Sequence, residues 1–417
     1  MPNRNSIPES PRITILRKSL ADGEAATLDS FWQQVTAEGT PLIEPIPDDD
    51  QYALVTFLYR GNGQTEHVVL HSEILRGMWW NNWSDALLYH LPGTDLFYRS
   101  YKLRTDMRFV YWLSPNRPLI HARDDSEGDR FLQLDPFNPH VFVEDFNRSY
   151  VEMPKAPPQP WWQVRTQVPI GALENHFWHS SILNNDRQVW VYTPPGYTTN
   201  HDPYPFLLLF DGNIFTTWVP GATILDNLLV DGRIPPLVTI MLDSPNRYEE
   251  LYCGETFVDC LARELIPWAR QTYHITNDPQ QSVVGGVSAG GLAAAFVALR
   301  HPELFGNVFS SSGAFHWSKE AYGAEPWSPE IPPEDCWLPQ QFAIHEKLPI
   351  RFHMDCGLLE DQRDFPYTTL LRGNRRMRDV LKAKGYWLHY QETCAGHQYI
   401  NFRGTFPEGL IALIGCD

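Results

Sequence analysis

Two regimes of hydrophobic patterning divide the chain. Up to about residue 155 the apolar positions come in short runs broken by turn residues. Strand-like runs occupy Tyr52–Arg60, His67–His71, Asp95–Leu103 and Phe109–Leu113. Clusters such as Gly61-Asn62-Gly63 and Pro115-Asn116-Arg117 separate them. Ahead of them, Thr27 can cap a short helix with Phe31, Trp32 and Val35 on its apolar face, stopped by Gly39. Several short strands with turns between them predict a β-sandwich of immunoglobulin-like type. Pro154, Pro157, Pro158 and Pro160 make Met153–Pro160 an extended, semi-rigid linker. The implied division is a sandwich over 1–152, a linker over 153–165 and a second domain over 166–417.

The second domain alternates strands and helices. Gln188–Thr193 reads as a strand, and Phe206–Phe210, Leu237–Leu242 and Ser282–Gly286 are continuous apolar runs of the kind buried on both faces. Ile350–Asp355 and Trp387–Glu392 extend the set. Helical patterns cover Phe257–Gln271, where Pro267 predicts a kink, Ala289–Arg300, closed by Pro302, and Thr368–Lys384. This alternation predicts an α/β fold with a mainly parallel sheet covered on both faces.

The formal net charge of −17 argues against nucleic acid or an anionic membrane as main partner, though not against a local basic pocket. Met1–Ser10 is polar and shows no apolar leader. No apolar run approaches the ~18 residues a membrane span needs. Cys253, Cys260, Cys336, Cys356, Cys394 and Cys416 form no C-x-x-C pair or zinc spacing, so free thiols in a cytoplasmic protein are expected.

The sharpest chemical signal is Gly286-Val287-Ser288-Ala289-Gly290. It fits the G-x-S-x-G nucleophile elbow and has a buried strand before it and a helix after it. The turn would lift Ser288 Oγ above the sheet, with backbone N–H groups such as that of Ala289 aimed at an oxyanion. In the order of this fold, nucleophile, acid, base, His397 lies in the loop after the last predicted strand. His389, inside that strand, reads as structural. The acid belongs after Ile350–Asp355, where Glu360, Asp361 and Asp364 are all candidates. Asp211-Gly212-Asn213 follows the buried run Phe206–Phe210, so the N–H groups of Gly212 or Asn213 can complete the oxyanion hole. No metal cluster, phosphate loop or dinucleotide fingerprint is apparent, and the chemistry needs no cofactor.

At this point the chain resembles the enterochelin esterase family, over almost its whole length. In the catalytic half the resemblance rests on Val191-Tyr192-Thr193-Pro194-Pro195-Gly196-Tyr197, Asp211-Gly212, Arg247 with Glu250-Leu251, Glu264-Leu265-Ile266-Pro267, the elbow with Gly291, His301-Pro302-Glu303-Leu304-Phe305-Gly306 and Gly396-His397. In the N-terminal half it rests on Val55-Thr56-Phe57-Leu58-Tyr59-Arg60, Pro92-Gly93-Thr94-Asp95 and Asp135-Pro136-Phe137-Asn138-Pro139. The catalytic-half motifs are shared with acyl, feruloyl and acetyl esterases and specify reaction more than substrate. The N-terminal motifs mark the sandwich domain this family adds. The resemblance implies an α/β-hydrolase behind a β-sandwich, with Ser288 as nucleophile, His397 as base and Glu360 as acid. It implies a small-molecule ester substrate, a ferric siderophore trilactone. Gln398 and Tyr399 depart from the acidic residue often found after the family's histidine.

An anionic catecholate would need aromatic walls and local cations in so acidic a protein. Trp79, Trp80 and Trp83 are candidates for the wall, Arg60 and Arg247 for the cations. Two other functions compete: an esterase of acylated sugars or phenolic esters, and a non-catalytic binding protein.

Overall fold

Between Pro157 and Pro158 the chain passes from one folded unit to another in the computed structural model. The structure describes residues 9–23, 27–75, 83–120, 126–143, 146–200, 202–318, 336–361 and 369–416.

The first unit carries β1 (Leu42–Ile46), β2 (Asp49–Arg60), β3 (Val68–Ser72), β4 (Tyr89–His90), β5 (Leu96–Arg104), β6 (Arg108–Pro115), β7 (Val141–Phe142) and β8 (Arg148–Glu152). They form two antiparallel sheets, ordered β1-β2-β5-β4 and β3-β6-β8-β7. Phe57 of β2 meets Phe109 and Tyr111 of β6 at 6.3 and 4.9 Å between ring centroids, so the sheets face each other as a sandwich. The helix Thr27–Glu38 buries Phe31, Trp32 and Val35 against Leu58 and Leu96. A second helix, Pro11–Ala21, was not read from the pattern. Ser10 caps it through the Ile13 N–H, and Pro11 pre-sets its first turn.

The candidate wall and one candidate cation lie in this unit. Trp83 is buried, edge-on to His71, with Arg117 over its ring, so it packs the interior rather than facing a ligand. Trp79 and Trp80 lie outside the described residues. Arg60 donates to Asp95 at 2.7 Å and covers the Trp32 ring, an ion-pair and packing role.

The second unit carries β9 (Ala172–Ser180), β10 (Asn185–Thr193), β11 (Phe206–Phe210), β12 (Val238–Leu242), β13 (Ser282–Val287), β14 (Asn307–Ser311), β15 (Arg351–Gly357) and β16 (Trp387–Thr393). The sheet order is β16-β15-β14-β13-β11-β12-β10-β9. β11 to β16 run parallel, and β10 lies antiparallel to both β12 and β9. Every residue of β11, β12 and β13 is buried, which requires helices on both faces. Ala289–Arg300 and Glu255–Cys260 cover one face, and Gly221–Val230 and Tyr399–Ile414 the other.

The helical stretch around Pro267 is broken upstream of the proline. A π-helical turn, Leu261–Leu265, separates Glu255–Cys260 from Ile266–Thr272. Pro267 lacks an N–H and crowds the preceding turn, and the wider turn absorbs both effects. The Pro-rich stretch is shared between the units. Pro157 accepts from Arg108 in the first. In the second, Trp161 and Gln163 carbonyls accept from Asn227, and Arg165 pairs with Asp231. No described helix is long and apolar enough to cross a membrane. None of the six cysteines forms a disulfide, and five of them are buried.

Candidate active site

Parallel strands end together, and the loops at their carboxyl ends carry the candidate chemistry. Asp211 follows β11, Ser288 follows β13, Ser312 follows β14, Glu360 follows β15 and His397 follows β16.

Ser288 stands at φ 58°, ψ −119°, a strained conformation for a serine, between β13 and the helix Ala289–Arg300. The turn is clamped from outside. The Ser288 N–H donates to the Ser311 carbonyl at 3.0 Å, and its carbonyl accepts from Ala314 at 2.9 Å. A Cβ on Gly286 would lie 2.7 Å from the backbone of Gly290, so strand and helix can cross this closely only at glycine. Gly290 itself has room: its nearest neighbour would be 3.4 Å away. The next tight position is Gly291, where a Cβ would meet Ser310 Oγ at 2.5 Å.

His397 Nδ1 and Glu360 Oε2 are 2.9 Å apart. An ionised carboxylate only accepts, so Nδ1 is the donor, and in the neutral imidazole Nε2 is then the acceptor. The other carboxylate oxygen accepts from Ser312 Oγ at 2.6 Å and from the Gly357 N–H at 2.7 Å. Glu360 is buried with three donors around it, while the His397 side chain is 37% exposed. The two loops are stitched together: the Leu359 N–H donates to the Ala395 carbonyl at 3.0 Å. A Cβ on Gly357 would fall 2.2 Å from that same carbonyl oxygen. Asp361 accepts from Thr369 and faces Arg372, away from this pair. Asp364 lies outside the described residues. His389 pairs with buried His353, Nδ1 to Nδ1 at 2.9 Å, in the sheet.

Gly212 and Asn213 open the short helix Gly212–Thr216, and Ala289 opens the elbow helix. The first N–H groups of a helix have no acceptor within it, so all three are available to an oxyanion. Asp211 takes a left-handed backbone, φ 52°, and its carboxylate is gripped by Arg247: Nε at 2.9 and 3.0 Å, Nη2 at 2.8 Å. Tyr252 and Tyr399 lie near enough to feel the Arg247 charge.

Several residues here escaped the sequence reading. Ser312 donates to the candidate acid, Glu360, but a serine at a strand end carries no signal alone. Trp218 stacks on Tyr399 at 4.6 Å, and Tyr252 approaches Trp317 at 6.0 Å, giving aromatic surface beside Arg247. His316 follows the segment that clamps Ser288. Its Nδ1 is buried without a hydrogen-bond partner, and burial, seconded by nearby His397, pushes its pKa down to about 4.

Residues 180–413 match the family model described as "Putative esterase", and residues 54–162 match "Enterochelin esterase, N-terminal". An iron(III) enterobactin esterase of Yersinia enterocolitica is 30% identical over 362 residues, covering 76% of this chain and 93% of that protein. One from Dickeya dadantii is 27% identical over 434 residues, with 96% of each covered. Among solved structures, the ferric enterobactin esterase of Salmonella typhimurium has a TM-score of 0.74 at 24% identity, with 92% of this chain and 98% of that one covered. The Shigella flexneri enterobactin esterase, determined in the presence of enterobactin, scores 0.72 at 23% identity, with 92% and 97% covered. At that identity the structural likeness speaks for the fold, an α/β-hydrolase preceded by a mostly β unit.

Proposed function

Because the chain belongs to the enterochelin esterase family, we propose that it opens the trilactone of a ferric catecholate siderophore such as enterobactin and so releases its iron. The chain is a carboxylic ester hydrolase, and the reading makes it a serine esterase. Ser288 Oγ attacks an ester carbonyl while His397 Nε2 takes its proton. Glu360 fixes the Nδ1–H and stabilises the imidazolium that forms. The carbonyl electron pair moves onto oxygen, towards the N–H groups of Ala289 and of Gly212 or Asn213. Collapse of this intermediate expels the lactone's alkoxide, which recovers the proton from His397. Water then attacks the acyl-enzyme with His397 again as base.

The observation that carries this reading is the 2.9 Å bond from His397 Nδ1 to Glu360 Oε2, at the same sheet end as the Ser288 turn. The aromatic surfaces of Tyr252, Trp317, Trp218 and Tyr399 suit catechol rings. Arg247 supplies a cation at the same place. The division into a sandwich over 1–152, a linker over 153–165 and a hydrolase domain over 166–417 belongs to the same proposal. A cytoplasmic location completes it, and six cysteines with no disulfide among them fit a reducing compartment.

The test is turnover of iron-loaded and iron-free triscatecholate lactones beside a neutral aryl ester, by the natural chain and by Ser288→Ala. Preference for the lactones, lost in the variant, is expected. Turnover of aryl esters alone would transfer the chain to the phenolic or sugar esterases.

A further inference from the structure

The Asp211 carboxylate poses a physical problem. Its side chain is only 6% exposed, and the position a Cβ would take on Gly290 is 3.6 Å from its Oδ2. A negative charge therefore sits over the first turn of the elbow helix, beside the N–H groups of Gly212 and Asn213. Left alone it would repel an oxyanion formed there. Arg247 answers it with two nitrogens on the same carboxylate. That arginine is itself anchored. It opens the helix Arg247–Leu251, whose Glu250 forms a buried ion pair with Arg187 at 2.8 Å. The loop has no slack on its other side, since a Cβ on Gly212 would lie 2.6 Å from the Met241 backbone.

Resting on the serine esterase reading above, we propose that Asp211 and Arg247 are a positioning pair for the oxyanion hole. The pair holds Asp211 in its left-handed turn, aims the Gly212 and Asn213 N–H groups, and cancels the carboxylate charge beside them. Arg is required because its planar fork fixes an orientation that a lysine ammonium cannot. The role is selective for the transition state, because only the tetrahedral intermediate carries the full negative charge on oxygen.

The experiment uses the full chain, a neutral aryl ester, and an aryl boronic acid that forms a tetrahedral adduct on a nucleophilic serine. Arg247→Lys and Asp211→Asn should each lower kcat at least about tenfold, with KM changed by less than about twofold, as loss of oxyanion stabilisation requires. Boronic acid affinity should fall in parallel with kcat. The double variant should be no worse than the worse single one, because the two residues act as one unit. Should Arg247→Lys fail to fold, Asp211→Asn carries the test, since Asn tolerates the left-handed backbone. Unchanged kcat and boronic acid affinity in both variants would overturn the proposal and leave Arg247 with its substrate-contact role alone. Ser288→Ala is measured beside them. If it stays active the esterase reading itself fails; if it is dead while both pair variants keep full kcat, only the positioning role fails.

Discussion

A serine holds φ 58° only where its surroundings over-determine the turn, and here two backbone bonds from the β14 end do so. Replacing Ser288 with Ala keeps that geometry and removes the proposed nucleophile. Turnover should fall on the order of a million-fold, with circular dichroism unchanged. His397→Ala should be about as severe, and the double variant scarcely worse, because the residues act in one proton-transfer step. Glu360→Gln should cost about ten-thousand-fold, since the wrong hydrogen-bonding group then meets Nδ1. Asp361→Asn, whose carboxylate faces Thr369 and Arg372, should stay near full activity. Steady-state kinetics on one aryl ester checks all four. Gly286→Ala should abolish the folded elbow while Gly290→Ala is tolerated, a contrast visible in thermal melts. The candidate nucleophile and base, Ser288 and His397, could be singled out in the sequence because each follows a strand boundary, and the structure has both in the loops after β13 and β16. The choice among Glu360, Asp361 and Asp364 was not legible from the residues, because three carboxylates in one loop share a type. In the structure the Glu360 side chain turns to His397, held by Ser312 from the end of β14 and by Gly357 three residues before it, while Asp361 faces Thr369 and Arg372.

At the scale of elements, the runs buried on both faces were the readable ones: β11, β12 and β13 are continuous apolar sequences. β9 was missed because it is an edge strand, largely exposed, with polar residues through most of its length. The small helix Arg247–Leu251 was also invisible, being too short for a period. Its Glu250 pairs with Arg187, and both side chains are almost completely buried. Removing one partner leaves an unpaired buried charge. Glu250→Ala should therefore cost about 3–5 kcal/mol in urea denaturation. Replacing both residues with apolar ones of similar volume should cost much less.

Over the whole molecule, buried His71 and half-buried His316 oppose acid. Burial, with Arg117 nearby, pushes His71 down from 6.5 to about 3. His316 falls from 6.5 to about 4. Both are neutral in the fold, while the unfolded chain takes up their protons near pH 6.5. The stability they contribute is complete above that pH and is lost as pH falls towards their folded values. The melting temperature should thus decline from pH 6.5 to 5, and less steeply in His71→Asn. Buried Asp135 and Asp226, whose pKa values are raised, act in the opposite sense in the carboxylate range, so the comparison belongs above it. The order of the sheet has one more consequence, for synthesis. A ribosome completes Ser288 and Glu360 well before His397, and the strand that delivers the histidine, β16, is the last one and lies at the sheet's edge. The nascent chain can therefore build most of its fold while remaining inert. On the proposed assignment, hydrolytic capacity waits for His397, which follows β16.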